Sequence, residues 1–90
     1  MEIHIGSSSS LKEKRTVVRH LLDTARHRYR VAASEVDHQD QWQRAALAFA
    51  AVGPTSAPVE QVLDRVERFV WSHPELAVTG SSRHWVEVDD

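Results

Sequence analysis

Met1, Ile3 and Ile5 alternate with Glu2 and His4, the period-two pattern of a strand with one face buried. Gly6 and the serines Ser7 to Ser10 break that pattern, and the apolar spacing then changes to that of a helix. Leu11, Val18, Leu21, Leu22, Ala25 and Tyr29 fall on one arc of a helical wheel, with Lys12, Arg15, Arg19, Arg26 and Arg30 in a stripe beside it. Ser10 followed three residues later by Glu13 is the sequence form of a capping box, in which each residue satisfies a backbone donor of the other. The pattern predicts a helix from about Leu11 to about Arg28.

Arg30 to Val36 reads as a second strand. Val31 and Ala33 share a face while Val36 has the opposite parity, so a bulge or twist near Ser34 and Glu35 is expected. Asp37 to Gln41 is polar and turn-like. Trp42 to Val52 reads as a third strand, with Ala45, Leu47, Phe49 and Ala51 on one face and Ala46, Ala48, Ala50 and Val52 on the other. Alanine alone favours a helix here; the turn before and Gly53-Pro54 after favour a strand. Ser56 is placed to cap a second helix and Pro58 suits its first turn. Val59, Val62, Leu63, Val66 and Phe69 or Val70 recur at helical spacing until Pro74 ends the run. Leu76 to Val78 and Arg83 to Val88 look extended, with Gly80-Ser81-Ser82 between them.

The order β-α-β-β-α-β is the split βαβ, or ferredoxin-like, arrangement: an α+β fold with an antiparallel sheet and two helices on one face. Leu21, Leu22, Leu47, Phe49, Val62, Leu63, Val66 and Phe69 are expected to share its core. A chain of 90 residues makes one such domain, residues 1–90, with little room for a second. No apolar run approaches the roughly 20 residues a membrane helix needs, and no basic segment followed by an apolar one marks a leader. Cysteine is absent, which excludes disulfide and thiolate chemistry and fits a cytoplasmic location. The net charge of -2 conceals a segregation: Ser10 to Arg30 holds seven basic side chains against two acidic ones, and the remainder of the chain is correspondingly acidic.

Ser10-Leu11-Lys12-Glu13-Lys14-Arg15, the segment Glu35-Val36-Asp37-His38-Gln39-Asp40-Gln41-Trp42-Gln43-Arg44-Ala45, and Val62-Leu63-Asp64 with Ser72-His73-Pro74-Glu75-Leu76 resemble the YlxP-like proteins, a bacterial family filed as a domain of unknown function. The resemblance runs from about Met1 to Val78 and implies a ferredoxin-like fold in a bacterial cytoplasmic protein. Genes of that family often lie beside those for a ribosome-binding factor and a translation initiation factor, which implies an association with ribosome work. The family has no established catalytic residues, so none is carried over. Its members usually have several more residues before the position of Met1, and hence a longer first strand, which in this fold is central. A short one leaves edges on its expected neighbours, Trp42 to Val52 and Arg83 to Val88, so self-association is expected, either across the open sheet face or by strand pairing, with Trp42 or Trp85 near the contact.

Two surfaces are candidates for function. Lys12, Lys14, Arg15, Arg19, Arg26 and Arg30, with the serine-rich loop at the helix N-terminus, suit a polyanion, and RNA or a ribosomal particle is the expected partner. The bland reading of the same stripe is a solvated helix face. The loop lacks the glycine-lysine pattern of a nucleotide cradle. On the open face of the sheet, parity groups His4, Trp42, Arg44, Arg83 and Trp85 with Ala46, Ala48 and Ala50. Tryptophan beside arginine stacks nucleobases; it also packs well in an interface, and the small alanines suit a homodimer. Asp37, His38 and Asp40 with Glu35 have the right atoms for a cation but no standard spacing, so no metal is expected. His20 and His27 are too far apart on the helix to share an ion unaided, and His73 before Pro74 suits a helix end. No serine is paired with a histidine at a recognisable spacing and no carboxylate pair is identifiable, so no enzymatic activity, cofactor or small-molecule substrate is expected.

Overall fold

A computed structural model describes residues 1–6 and 8–87. They form β1 (Glu2–Ile5), α1 (Leu11–Arg28), β2 (Ala32–Asp37), β3 (Arg44–Ala50), α2 (Ser56–Trp71) and β4 (Leu76–Gly80). The four strands make one antiparallel sheet in the order β2-β3-β1-β4. This is the ferredoxin-like split βαβ that the periodicity predicts.

β1 is central although it is short. Ile3 sits opposite Ala45 of β3 and Val78 of β4. Pairing with β3 continues past the strand at both ends: Ile5 N–H donates to the Gln43 carbonyl, and Met1 and Leu47 bond each other in both directions. The fourth strand is Leu76–Gly80, and Arg83 to Glu87 carries no strand, contrary to the expectation that this later segment flanks β1. Pro74 and Glu75 turn the chain directly onto β1, where Leu76 meets Ile5, so the edge is filled before Arg83 is reached. Val88 lies outside the described residues.

The helix ends follow local chemistry. Ser10 Oγ accepts from the Glu13 N–H, as a capping box requires, but the Glu13 carboxylate reaches one residue further back and accepts from both the N–H and the hydroxyl of Ser9. The Ser9 amide, and after it the Ser9 hydroxyl, holds the Glu13 carboxyl below its ordinary value. That contribution is present above the ordinary carboxylate range and is lost as the pH falls through the lowered value. At the far end Tyr29 is the C-cap, and Arg30 takes the left-handed conformation at φ 56° that is normally left to glycine. Arg30 therefore lies beyond the helix. In α2 the N-cap is Thr55, one residue before the expected Ser56, and its side chain makes no capping bond. Pro58, the third helical residue, lacks one of the N–H groups that such a cap would bond.

The helices lie together on one face of the sheet. Val18, Leu21 and Leu22 of α1 and Val70 of α2 pack with Ile3, Ile5, Ala45 and Leu47. A second cluster joins Ala25, Val31 and Val66, with Val62, Phe49 and Tyr29 against it. Phe49, Val62 and Phe69 are half-buried at the margins of these clusters. Leu63 is half-buried and belongs to neither, a correction to the expected core. The bulge in β2 falls between Glu35 and Asp37, slightly later than expected, and it leaves Val36 exposed.

Candidate functional site

α1 carries most of the predicted polyanion residues, and the fold sorts them into different roles. Lys12, Arg15 and Arg19 are exposed along one stripe and make no ion pair among the described residues. Arg26 extends the stripe but is engaged: Nη1 lies 3.2 Å from Asp23 Oδ1, and Nη2 donates to the Ala33 carbonyl at 2.6 Å. Because β2 is an edge strand, that second bond covers one of its backbone acceptors. Arg30, exposed in its left-handed turn, stands off the helix rather than on the stripe. At the start of α1 the Glu13 carboxylate takes the Ser9 amide and Ser10 caps the first turn, so these two groups are already engaged.

Lys14 does not belong to this surface. Its exposure is 0%, and Nζ sits 2.6 Å from Glu35 Oε2 while donating to the His38 carbonyl. The sequence carried the signal for this: on the wheel Lys14 falls among Val18, Leu21 and Ala25, not beside Lys12 and Arg15. Glu35 Oε2 takes no hydrogen bond beyond the ion pair. The β2 bulge lets the chain cross from this pair to the other face of the sheet. His38, at φ 63°, places its ring 3.1 Å from Glu2 Oε2 and 3.2 Å from Arg44 Nη2, both through Nε2. Nε2 cannot donate to Glu2 and accept from Arg44 together. Gln41 Nε2 lies 3.4 Å from His38 Nδ1 as a donor, which favours the tautomer whose Nε2–H faces Glu2.

On the open face, His4 and Arg44 project from neighbouring central strands as parity predicts. Trp42 precedes β3 and is 54% exposed; with His4, Asp40, Gln41, Gln43 and Arg44 it lines a shallow depression. Arg83 is not on this face, which corrects the parity argument. It bonds Asp64 at 2.8 Å and Glu67 at 2.9 Å, both on α2. The hydrogen bond to Asp64 raises its already high pKa; burial opposes the rise, and Glu67 reinforces it. Trp85 follows in the segment without strand structure, exposed, with no pairing that brings it to the sheet.

The residues considered for a cation point apart. Glu35 turns to Lys14, Asp37 Oδ1 accepts from the His38 N–H, and His38 faces Glu2. Among the described residues no group of three or more His, Asp and Glu converges on a common point. His20 packs edge-on to His73, and His73 Nδ1 bonds the Phe69 carbonyl at 2.8 Å, the helix-end role expected of it. Sequence reasoning missed a second basic locus. Arg28 at the end of α1 and Arg65 and Arg68 of α2 line a depression with Tyr29, Phe69 and Ser72. The (i, i+3) spacing of Arg65 and Arg68 was the available sign that they share a face.

Among the described residues no helix is long and apolar enough to cross a membrane. The sequence pattern of a family described as "Protein of unknown function (DUF503)" matches residues 1–83. The chain is also similar to the "Uncharacterized protein YlxP" of Bacillus subtilis (strain 168), with 37% identity over 84 residues that span 93% of this chain and 91% of that protein. Nothing in either match points to an enzymatic activity. With this strand order, these helix positions and these matches, the chain belongs to the DUF503 family of proteins of unknown function.

Proposed function

We propose that this protein binds RNA, without transforming it, through Lys12, Arg15 and Arg19 on the exposed side of α1. The observation that carries the reading is their lack of any acidic partner among the described residues, in a chain whose net charge is -2. A merely soluble surface has no need to gather positive charge in one stripe with three of its side chains unpaired. RNA supplies a row of phosphates that such a stripe neutralises, with release of counterions. Arg26 is better left out of the test, since it also covers the Ala33 carbonyl.

The K12Q/R15Q/R19Q variant is expected to bind RNA more weakly whatever its sequence. Its log affinity should fall with log salt less steeply than that of the unaltered protein, by about 2 in slope if each side chain meets one phosphate. Fluorescence anisotropy with labelled RNA across a salt series measures both. Absence of binding by the unaltered protein at low salt refutes the proposal; equal binding by the variant refutes the surface. A ribosomal particle presents RNA of this kind, and co-sedimentation with ribosomal subunits at low salt extends the same test.

A second reading, a homodimer formed through the open sheet face, is favoured by one feature of β3. Ala48 and Ala50 are exposed on that face, with half-exposed Trp42 at its other end, and among the described residues Ala48 to Ala50 pair only with β2. Small side chains let a second sheet approach closely, and tryptophan is enriched at such contacts. Sedimentation equilibrium at micromolar concentration is expected to give a mass of twice 10.2 kDa, and Trp42→Arg is expected to halve it. A monomer throughout rules this reading out.

A further inference from the structure

We infer that the depression between the end of α1 and the later turns of α2 is a second nucleic-acid contact, one that takes a single unstacked nucleotide of an RNA strand. The inference rests on the RNA-binding reading and names a different site for it. Arg28, Arg65 and Arg68 border the depression, and Tyr29 and Phe69 supply its aromatic wall. The Tyr29 and Phe69 rings are 5.6 Å apart, and the Arg28 guanidinium lies over Tyr29 at 5.4 Å from the ring centre. A guanidinium over an aromatic ring is held there by cation–π attraction, and arginine and tyrosine side chains both offer a flat face to a base. Arg65 and Arg68, both exposed and three residues apart, are placed to take the adjoining phosphate as a pair.

What keeps Arg68 available is a contact elsewhere. Asp64 precedes Arg68 by four residues, the spacing at which a helix ordinarily neutralises its own charges. Arg83, arriving from beyond β4, has taken Asp64 instead, together with Glu67. Arg68 consequently makes no ion pair among the described residues, and Arg65, with Gln61, Val62, Arg68 and Phe69 three and four positions away, makes none either. Arg28 and Arg68 lie in the last turns of their helices, where a cation offsets the dipole. That accounts for each singly but not for Arg65, nor for their convergence beside two aromatic rings. Arg83 is on this argument a positioning residue, acting through Asp64.

The experiment compares a labelled single-stranded RNA with a duplex RNA of the same length, by anisotropy at low salt. R65Q/R68Q is expected to weaken single-strand binding about tenfold and duplex binding far less, because paired bases cannot reach the platform. Tyr29→Leu should act in the same direction. Arg83→Gln should weaken single-strand binding several-fold by releasing Asp64 to Arg68, while leaving duplex binding unchanged. If R65Q/R68Q binds the single strand as the unaltered protein does while K12Q/R15Q/R19Q is weakened, the site is refuted and the RNA-binding reading stands. An equal loss for duplex and single strand refutes the unstacked nucleotide. No binding of either RNA by the unaltered protein overturns both readings. Unchanged binding by Arg83→Gln overturns the role given to that residue.

Discussion

Replacing Lys14 by methionine is expected to destabilise the fold by about 3 kcal/mol, the low end of the cost of breaking a buried ion pair. Lys14 is fully buried and its Nζ meets both the Glu35 carboxylate and the His38 carbonyl. Methionine fills nearly the same space, so little of the loss comes from a cavity. The loss comes from Glu35, left charged and mostly buried with no cation, and from a carbonyl that loses its donor. The Glu35 side chain keeps 18% exposure, which lets water relieve part of the penalty and sets the estimate low in the range. Urea unfolding reads the effect as a lower midpoint with unchanged slope. The double variant K14M/E35M removes both charges and is expected to recover most of the stability. If the double variant is as unstable as the single, the cost arises from packing and not from an unpaired charge. A Lys14→Met protein that remains folded is also expected to keep the salt dependence of RNA binding, since this ammonium is not on the surface.

The contrast between Lys14 and Lys12 shows where the sequence is readable and where it is not. Periodicity placed β1, both ends of α1 and the two faces of β3, because each face is decided by many residues at once. The same wheel put Lys14 on the apolar arc, and only its charge argued for the surface. Arg83 to Val88 read as a strand for a similar reason: alternation and β-branched residues describe an extended chain but do not say what it pairs with. That was settled by Pro74 and Glu75, which bring Leu76 to β1 first, and by the hold of Asp64 and Glu67 on Arg83. The spacing of Arg65 and Arg68 put them on one helix face but did not set that face apart as a site. What distinguishes Arg68 from an ordinary helix surface is the capture of Asp64 by a residue nineteen positions later, which no short window of sequence contains.

Leu47→Ala is expected to cost about 3–5 kcal/mol, and Leu63→Ala no more than about 1–2. Both are leucines with helical or strand neighbours of similar kind, and sequence alone placed both in the core. Leu47 is 1% exposed, packed with Ile3, Ile5, Leu21 and Val70 between sheet and helices. Its backbone is also fixed, with N–H donating to Met1 at 2.8 Å and the carbonyl accepting from the Met1 amino group at 2.7 Å. A site tied in this way cannot close over the space that alanine leaves, so the cavity persists and the cost lies high in the range. Leu63 is partly solvated already and touches neither core cluster, so its truncation removes less buried surface and leaves no enclosed void. A domain of this size has roughly 5–10 kcal/mol to lose. Leu47→Ala should therefore bring the protein near its unfolding threshold at ambient temperature, whereas Leu63→Ala should shift the urea midpoint only modestly. Equal losses in the two variants would mean that Leu63 is part of the same packed layer, and that α2 sits deeper on the sheet than Val66 and Val70 alone place it.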